Sequence, residues 1–324
     1  MRALRTGIAL LAVCAGTLHA ETLVLETKIP LGNVRGRIDH LAYDAGRQRL
    51  YVAELGNNSV GIVDLKNSRL VSTVKGFEQP QGIGYERSTD MVYVANAGDG
   101  SVRIHRGEDF APLGQIPLGD DADNVRVDAG AQRVYVGYGE GALGVIDAAS
   151  RQRLADIPLT GHPESFQLEP QGSRIFVNVP DSNEIAIVTR DGAREAARWP
   201  TGDLRGNFPL ALDVAHSRAL AIFRRPARLQ GFELHSGQDL GGSDVCSDAD
   251  DVFVDGKRGR AYVICGEGVV DTHDLAGNGY ARIDRLATTS GTRTGLFIPE
   301  LDRLAVAIRE SRKDSAAIWI FRPQ

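Results

Sequence analysis

The sequence predicts an all-β fold, a seven-bladed β-propeller spanning residues 21–324 as one domain, and three observations predict it. First, an apolar tetrad recurs seven times: Leu41–Asp44 (LAYD), Ile83–Glu86, Val125–Asp128, Phe166–Glu169, Leu210–Asp213, Val252–Asp255 and Leu296–Pro299. Second, the residues two places ahead of the tetrads, Asp39, Gln81, Asp123, Glu164, Phe208, Asp250 and Thr294, lie 42, 42, 41, 44, 42 and 44 positions apart. A period of about 40–45 residues carrying four short strands is the sequence signature of propeller blades. Third, seven such periods nearly fill the chain, so no second domain is needed.

Each tetrad is the first strand of its blade. The second strands begin at Arg49 (RLYVA), Met91, Arg133, Arg174, Arg218, Arg260 and Arg303. They are β-branched and aromatic and too short for helices, so they read as strands buried on both faces. Glycine-rich turns at 56–58, 98–100, 139–141 and 266–268 lead into the third strands. Outer strands follow, as in Ala111–Gly119 and Arg153–Gly161; the segment Asp191–Arg198, the nearest to a helical pattern, stands where the outer strand of blade four belongs. The last repeat supplies only three strands, the third at Ala316–Phe321. The segment Thr22–Gly32 (TLVLETKIPLG) matches the outer strands of other blades. The N-terminal strand is therefore predicted to complete blade seven and latch the ring.

Residues 1–20 read as a signal peptide: Arg2 and Arg5, an apolar run Ile8–Gly16, then Leu18-His19-Ala20 before Glu21. The run is too short to span a bilayer. Cys14 raises a lipoprotein alternative, but Val13 is larger than the small residue such a signal wants. A periplasmic or secreted monomer without a transmembrane segment is expected. The whole chain has 37 basic against 42 acidic residues, a net charge of −5; losing Arg2 and Arg5 leaves −7. With no basic cluster interleaved with aromatics, nucleic acid is excluded as a partner. The two remaining cysteines, Cys246 at the end of the outer strand of blade five and Cys265 at the end of the second strand of blade six, fall at the same face. An exported compartment favours a disulfide over two buried thiols.

The strings Leu50–Leu65 (LYVAELGNNSVGIVDL), Val92–Ile104 (VYVANAGDGSVRI) and Val134–Asp147 (VYVGYGEGALGVID) resemble YVTN-type β-propeller repeats, with a YVxN second strand, a Gly/Asn turn and an xVxVID third strand. The resemblance covers essentially the whole mature chain, and blades five and seven depart most from it. It implies a seven-bladed exported or periplasmic propeller and implies no particular reaction.

First strands line the channel of a propeller, and the loops leading into them open on one face. The seven marker residues therefore form a ring at the channel mouth. His40, Asn124, Ser165 and Asp251 stand beside it; Arg37, Asp121, His162 and Asp248 stand one step outward. Asp39, His40, Asp123, Asn124, His162, Glu164, Asp250, Asp251 and Arg293 are the predicted ligand-binding residues. The carboxylates of Asp39, Asp123, Glu164 and Asp250 do not all stay ionised unless something positive sits among them. A divalent cation such as Ca²⁺, taking about six to eight oxygen ligands, is one answer, and Arg37 with Arg293 is another. Including His40 or His162 would admit a transition metal. The plainer reading is loop Asp and His residues hydrogen-bonded to backbone amides. Arg224, Arg225 and Arg228 on one turn of blade five suit an anionic group, or pair with Asp181 and Asp203.

Other motifs carry no chemistry. Gly139–Gly144 matches GxGxxG but joins two strands and opens no helix. GxSxG, HExxH and CxxCH are absent from the sequence. Ser165 near His162 is no triad without an orienting acid. The leading expectation is an exported binding propeller that presents a polar, acidic channel mouth to a small ligand or a protein partner. The alternative is a metal-dependent hydrolase or lyase of the propeller lactonase type. Its ion would be held by Asp39, Asp123, Glu164 and Asp250, and its general base would be His40 or His162.

Overall fold

The computed structural model describes residues 21–190, 195–277 and 279–324; residues 1–20, where a signal peptide and Cys14 were considered, and the start of the Asp191–Arg198 segment lie outside them. Seven four-stranded antiparallel sheets form the described chain. Blade one is β2 (Leu41–Asp44), β3 (Arg49–Glu54), β4 (Ser59–Asp64) and β5 (Arg69–Lys75). Blade two is β6 (Pro80–Glu86) to β9 (Pro112–Pro117), and blade three is β10 (Val125–Asp128) to β13 (Gln152–Pro158). Blade four runs from β14 (Phe166–Leu168) to β17 (Glu195–Pro200), and blade five from β18 (Arg205–Asp213) to β21 (Asp239–Asp244). Blade six comprises β22 (Ala249–Asp255), β23 (Arg260–Cys265), β24 (Val269–Asp274) and β25 (Arg282–Ala287). Blade seven joins β26 (Gly295–Ile298), β27 (Arg303–Ile308) and β28 (Ala317–Pro323) to β1 (Leu23–Pro30).

The closure is as expected from the sequence. β1 pairs antiparallel with β28 from Leu23 opposite Pro323 to Pro30 opposite Ala317. The innermost strands touch in succession around the ring, and β2 meets β26 where it shuts. In every blade the pairing of the outer two strands slips by one residue, at Ile62/Val63 in blade one and Val145/Ile146 in blade three, for example. β1 carries the same slip, between Leu25 and Thr27, so it serves as a true fourth strand. Such bulges increase local twist.

Period-two alternation builds the core. Along β3, Leu50 and Val52 face blade seven while Tyr51 and Ala53 face blade two, all fully buried. The same division holds for the other second strands, and seven apolar clusters result, one between each pair of neighbouring blades. Blade-to-blade contact is therefore continuous around the ring, which is why both faces of these strands read as apolar.

Three boundaries differ from the expectation. The first strands of blades two, five and six begin earlier than their tetrads, and their pairing slips between Pro80 and Ile83, Asn207 and Leu210, and Ala249 and Asp251. The marker residues Gln81, Phe208 and Asp250 thus sit at bulges within strands and not in loops; a bulge re-aims side chains, here toward the channel. Cys246 lies beyond the end of β21 rather than in it. The third strand of blade seven starts at Ala317 and runs to Pro323. Among the described residues no helix is long and apolar enough to cross a membrane.

Candidate functional site

Backbone pairing fixes the channel mouth. The Asp39 amide donates to the Ala53 carbonyl, that of Asp123 to Gly137, and that of Glu164 to Asn178, so each marker residue extends the ladder one step above its tetrad. Neighbouring blades are tied at the same level: the His40 amide donates to the Gln81 carbonyl and the Ser165 amide to that of Phe208. Gly82 permits the close approach of blade three, since a Cβ there would stand 1.9 Å from the Asp123 carbonyl oxygen.

Above this collar is a cavity of about 210 Å³, lined by Arg37, Gln81, Asp121, Asp123, His162, Glu164, Phe208, Arg224, Asp250 and Arg293. A void of about 10 Å³ lies just beneath it, where His40, Asn124 and Ser165 join Asp123 and Glu164. The structure brings together the predicted Asp123, His162, Glu164, Asp250 and Arg293 around the cavity. Asn124 and His40 sit one layer down, and Asp39 and Asp251 lie behind them.

Guanidinium groups, as the charge argument requires, stand among the acids, and one arc of the ring holds them. Arg37 Nη2 is 2.9 Å from Asp39 Oδ2 and 3.4 Å from Asp250 Oδ2. Arg293 Nη2 is 2.7 Å from Asp248 Oδ2. Arg224 donates from Nη2 to Asp250 and from Nε to the Ala249 carbonyl at 3.1 Å, with its plane 3.7 Å above the Phe208 ring. Its partners are thus Asp250 and Asp248, not the Asp181 or Asp203 considered from sequence. Arg228 turns away to Gln230 and the Gly242 carbonyl, and Arg225 is exposed, so the three arginines make no joint anion grip. Arg126 was not anticipated. It lies half-buried on β10, donating to Ser165 Oγ at 3.4 Å; an arginine where the other tetrads carry Ala, Gly, Gln or Phe was the available signal.

The other arc is unlike the first. Among the described residues Asp123 and Glu164 form no ion pair, while Asp123 Oδ1 and Asn124 Oδ1 are buried without a hydrogen-bond partner in the protein. Arg37 Nε, Arg293 Nε and both Asp39 oxygens are in the same condition; Arg37 is near Asp39 but off the line a hydrogen bond needs. Burial, reinforced by Asp250, pushes the Glu164 carboxyl up to about 8. Burial and the Asp39 and Glu164 charges hold Asp123 well above the usual carboxylate range. Asp39 rises to about 6 through burial, with Arg37 and Arg293 opposing. Asp250 and Asp251 are also raised by burial.

The two histidines sit in different surroundings. His40 lies 3.6 Å from Asp39 and 3.7 Å from Asp251, and burial, followed by the Arg126 charge, drives it down to about 3. It is a neutral, weakly basic imidazole. His162 is anchored through Nδ1, 2.6 Å from the Gly139 carbonyl oxygen, and is 3.9 Å from Asp121. Among the described residues no three His, Cys, Asp or Glu side chains are placed to hold a metal ion together.

One predicted covalent feature stands beside the site. Cys246 and Cys265 form a disulfide, buried at the interface of blades five and six, immediately before Asp248 and Asp250. Ser247 accompanies it, donating its amide to Glu267 at 2.9 Å.

Among solved structures the chain is similar to a chain of a mitotic checkpoint complex, with a TM-score of 0.80 at 11% identity over 99% of this chain and 98% of that one. It is also similar to Kuenenia stuttgartiensis hydrazine synthase, with a TM-score of 0.73 at 14% identity over 85% and 94%. At such identities the likeness establishes the fold alone. No protein-family model and no curated protein matches the sequence, so YVTN membership remains a resemblance of repeats.

Proposed function

We propose that this protein is an exported binding propeller whose channel mouth receives a small polar ligand. The carrying observation is a set of buried polar atoms without partners at the channel mouth: those on Arg37, Asp123 and Arg293 belong to residues lining a cavity of about 210 Å³, Asn124 lines the void beneath, and Asp39 lies behind, beside Arg37. An unpartnered buried polar group costs about 1–3 kcal/mol, and five side chains from three blades bear that cost at one place. A concave site with convergent polar groups is the usual form of a small-molecule pocket. Export is supported by the disulfide, which fits an oxidising compartment, and by the signal pattern of residues 1–20. The metal-hydrolase reading has less behind it: the acids of one arc are met by guanidinium groups, and a His40 held near 3 is too weak a base for reaction near neutrality.

Thermal-shift screening of small polar metabolites, on the wild type and on Arg293→Gln, tests the reading. At least one compound should raise the melting temperature of the wild type and shift the variant much less. A screen in which no compound shifts the wild type, or in which all shifts are identical in the variant, would overturn the proposal.

A further inference from the structure

The two arcs of the channel mouth differ in a way that bears on what it binds. On blades five, six, seven and one, the guanidinium groups of Arg224, Arg293 and Arg37 face the carboxyls of Asp39, Asp248 and Asp250, three against three. On blades three and four, Asp123 and Glu164 have no cationic side chain within ion-pair distance among the described residues. Asp123 is 8% exposed, its Oδ1 is unpartnered, and it borders both the cavity and the void beneath. Resting on the binding reading above, we propose that the ligand carries an ammonium group seated between Asp123 and Glu164.

A compact –NH₃⁺ supplies three N–H donors, and Asp123, Glu164 and the unpartnered Asn124 Oδ1 below offer acceptors from two blades. Charge-assisted bonds of this kind are about twice as strong as neutral ones. A bare metal ion is served less well, because it needs a converging ligand cage that the described residues do not provide. At roughly 30 Å³ per water, the cavity equals about seven water volumes, which limits the ligand to a few carbons beyond its amine. The unpartnered Nε atoms of Arg37 and Arg293 lie across the ring, where a carboxylate at the ligand's far end would meet them. A zwitterion and a simple amine share the ammonium and differ at that end.

Seating the ammonium requires the acids to be ionised. The charged groups facing Glu164 and Asp123 are Asp121 on their own arc, Arg126 on β10 below Asp123, Arg37 and Asp39 from blade one, Arg224 from blade five and Asp250 from blade six, with His162 on the loop leading to Glu164. Arg37, Arg224 and Arg293 are met by Asp39, Asp250 and Asp248, and Arg126 faces Asp251 more strongly than Asp123 without an ion pair to either among the described residues, so the entering ammonium is the group that displaces the proton. Affinity should rise with pH between about 6 and 8, by up to tenfold per unit for one proton released.

Isothermal titration calorimetry on the purified full chain, with ethanolamine, putrescine, γ-aminobutyrate and succinate in phosphate and HEPES at pH 6.5 and 8.0, tests this. At least one amine should bind, more tightly at pH 8.0, with a heat that depends on the buffer, while succinate stays silent. γ-Aminobutyrate exceeding putrescine identifies the zwitterion arm, and the reverse identifies the simple amine. Glu164→Gln, and separately Asp123→Asn, should weaken binding at least tenfold, and the first should flatten the pH dependence; a single cooperative melting transition in each variant certifies that both fold. Succinate binding alone, amine binding unaffected by both variants, or no amine binding at millimolar concentration each overturns the ammonium assignment. The binding reading then stands or falls on the metabolite screen.

Discussion

At Glu164, burial and the nearby Asp250 carboxyl act in the same direction, and the opposing charges of Arg224 and Arg37 do not cancel them. A carboxyl raised on folding stabilises the native state while it holds its proton. Its contribution is complete below the unfolded value near 4.5 and is lost as pH climbs to about 8. Within that window the native protein binds one more proton than the unfolded chain, worth at most about 1.4 kcal/mol per pH unit. Glu164→Gln has no proton to lose. Its melting temperature, compared with that of the wild type from pH 5 to 8.5, should move progressively in the variant's favour as pH rises. A constant difference across the series would mean that Glu164 titrates as an ordinary surface acid. His40 shows the opposite case: half-buried beside Asp39 and Asp251, it stays neutral throughout this range, so it contributes packing and no titration.

At the level of the element, the site depends on how the leading segment of each blade is held. Blade six is held covalently: the Cys246–Cys265 disulfide, with a sequence separation of 19, fixes the segment that carries Asp248 and Asp250. A loop of that size is worth about 3 kcal/mol against the unfolded chain. Urea titration of Cys246→Ala/Cys265→Ala should show a loss of about that size, and any ligand found by the metabolite screen should bind the variant more weakly through the loosened segment. A denaturation midpoint equal to that of the wild type would remove the bridge from the stability account. The pairing of these cysteines and the ring of markers were legible because the period is nearly constant, which places equivalent residues at equivalent heights. Position, however, does not give partners. Arg224 reads in sequence as a turn residue beside Asp203, yet it lies near the end of β19 (Arg218–Arg225) and its guanidinium reaches across to Asp250 in the next blade, because adjacent blades bring β19 against the start of β22. Nor does a repeat show bulges: Gln81, Phe208 and Asp250 read as loop residues because the one-residue slip that sets them in strands leaves no mark on the apolar pattern.

For the whole molecule, the channel mouth exists only while the ring is closed, because its arcs come from blades at opposite ends of the chain. Arg37 of blade one and Arg293 of blade seven meet the same Asp250 across the seam that β1 seals. That seal buries Leu23, Ile29 and Leu31 at 0%, 0% and 1% exposure. It adds the antiparallel ladder to β28, Thr22 Oγ1 donating to Asp284 at 2.8 Å, and Glu26 bridging Arg303 and Arg322. The ion pairs lie in solvent and contribute little. Three buried side chains at about 2 kcal/mol each are worth about 6 kcal/mol, a large part of the 5–15 kcal/mol or so that holds a typical domain together. Deleting residues 21–31 should therefore lower the melting temperature by more than about 10 °C in circular dichroism, or leave no cooperative transition. Leu23→Ala/Ile29→Ala, which retains the ladder and only empties the seam, should fall between the deletion and the intact chain. A deletion that melts with the wild type would mean that blades one and seven hold each other without β1, and the continuity of the seven interblade clusters would then have to be sufficient for closure.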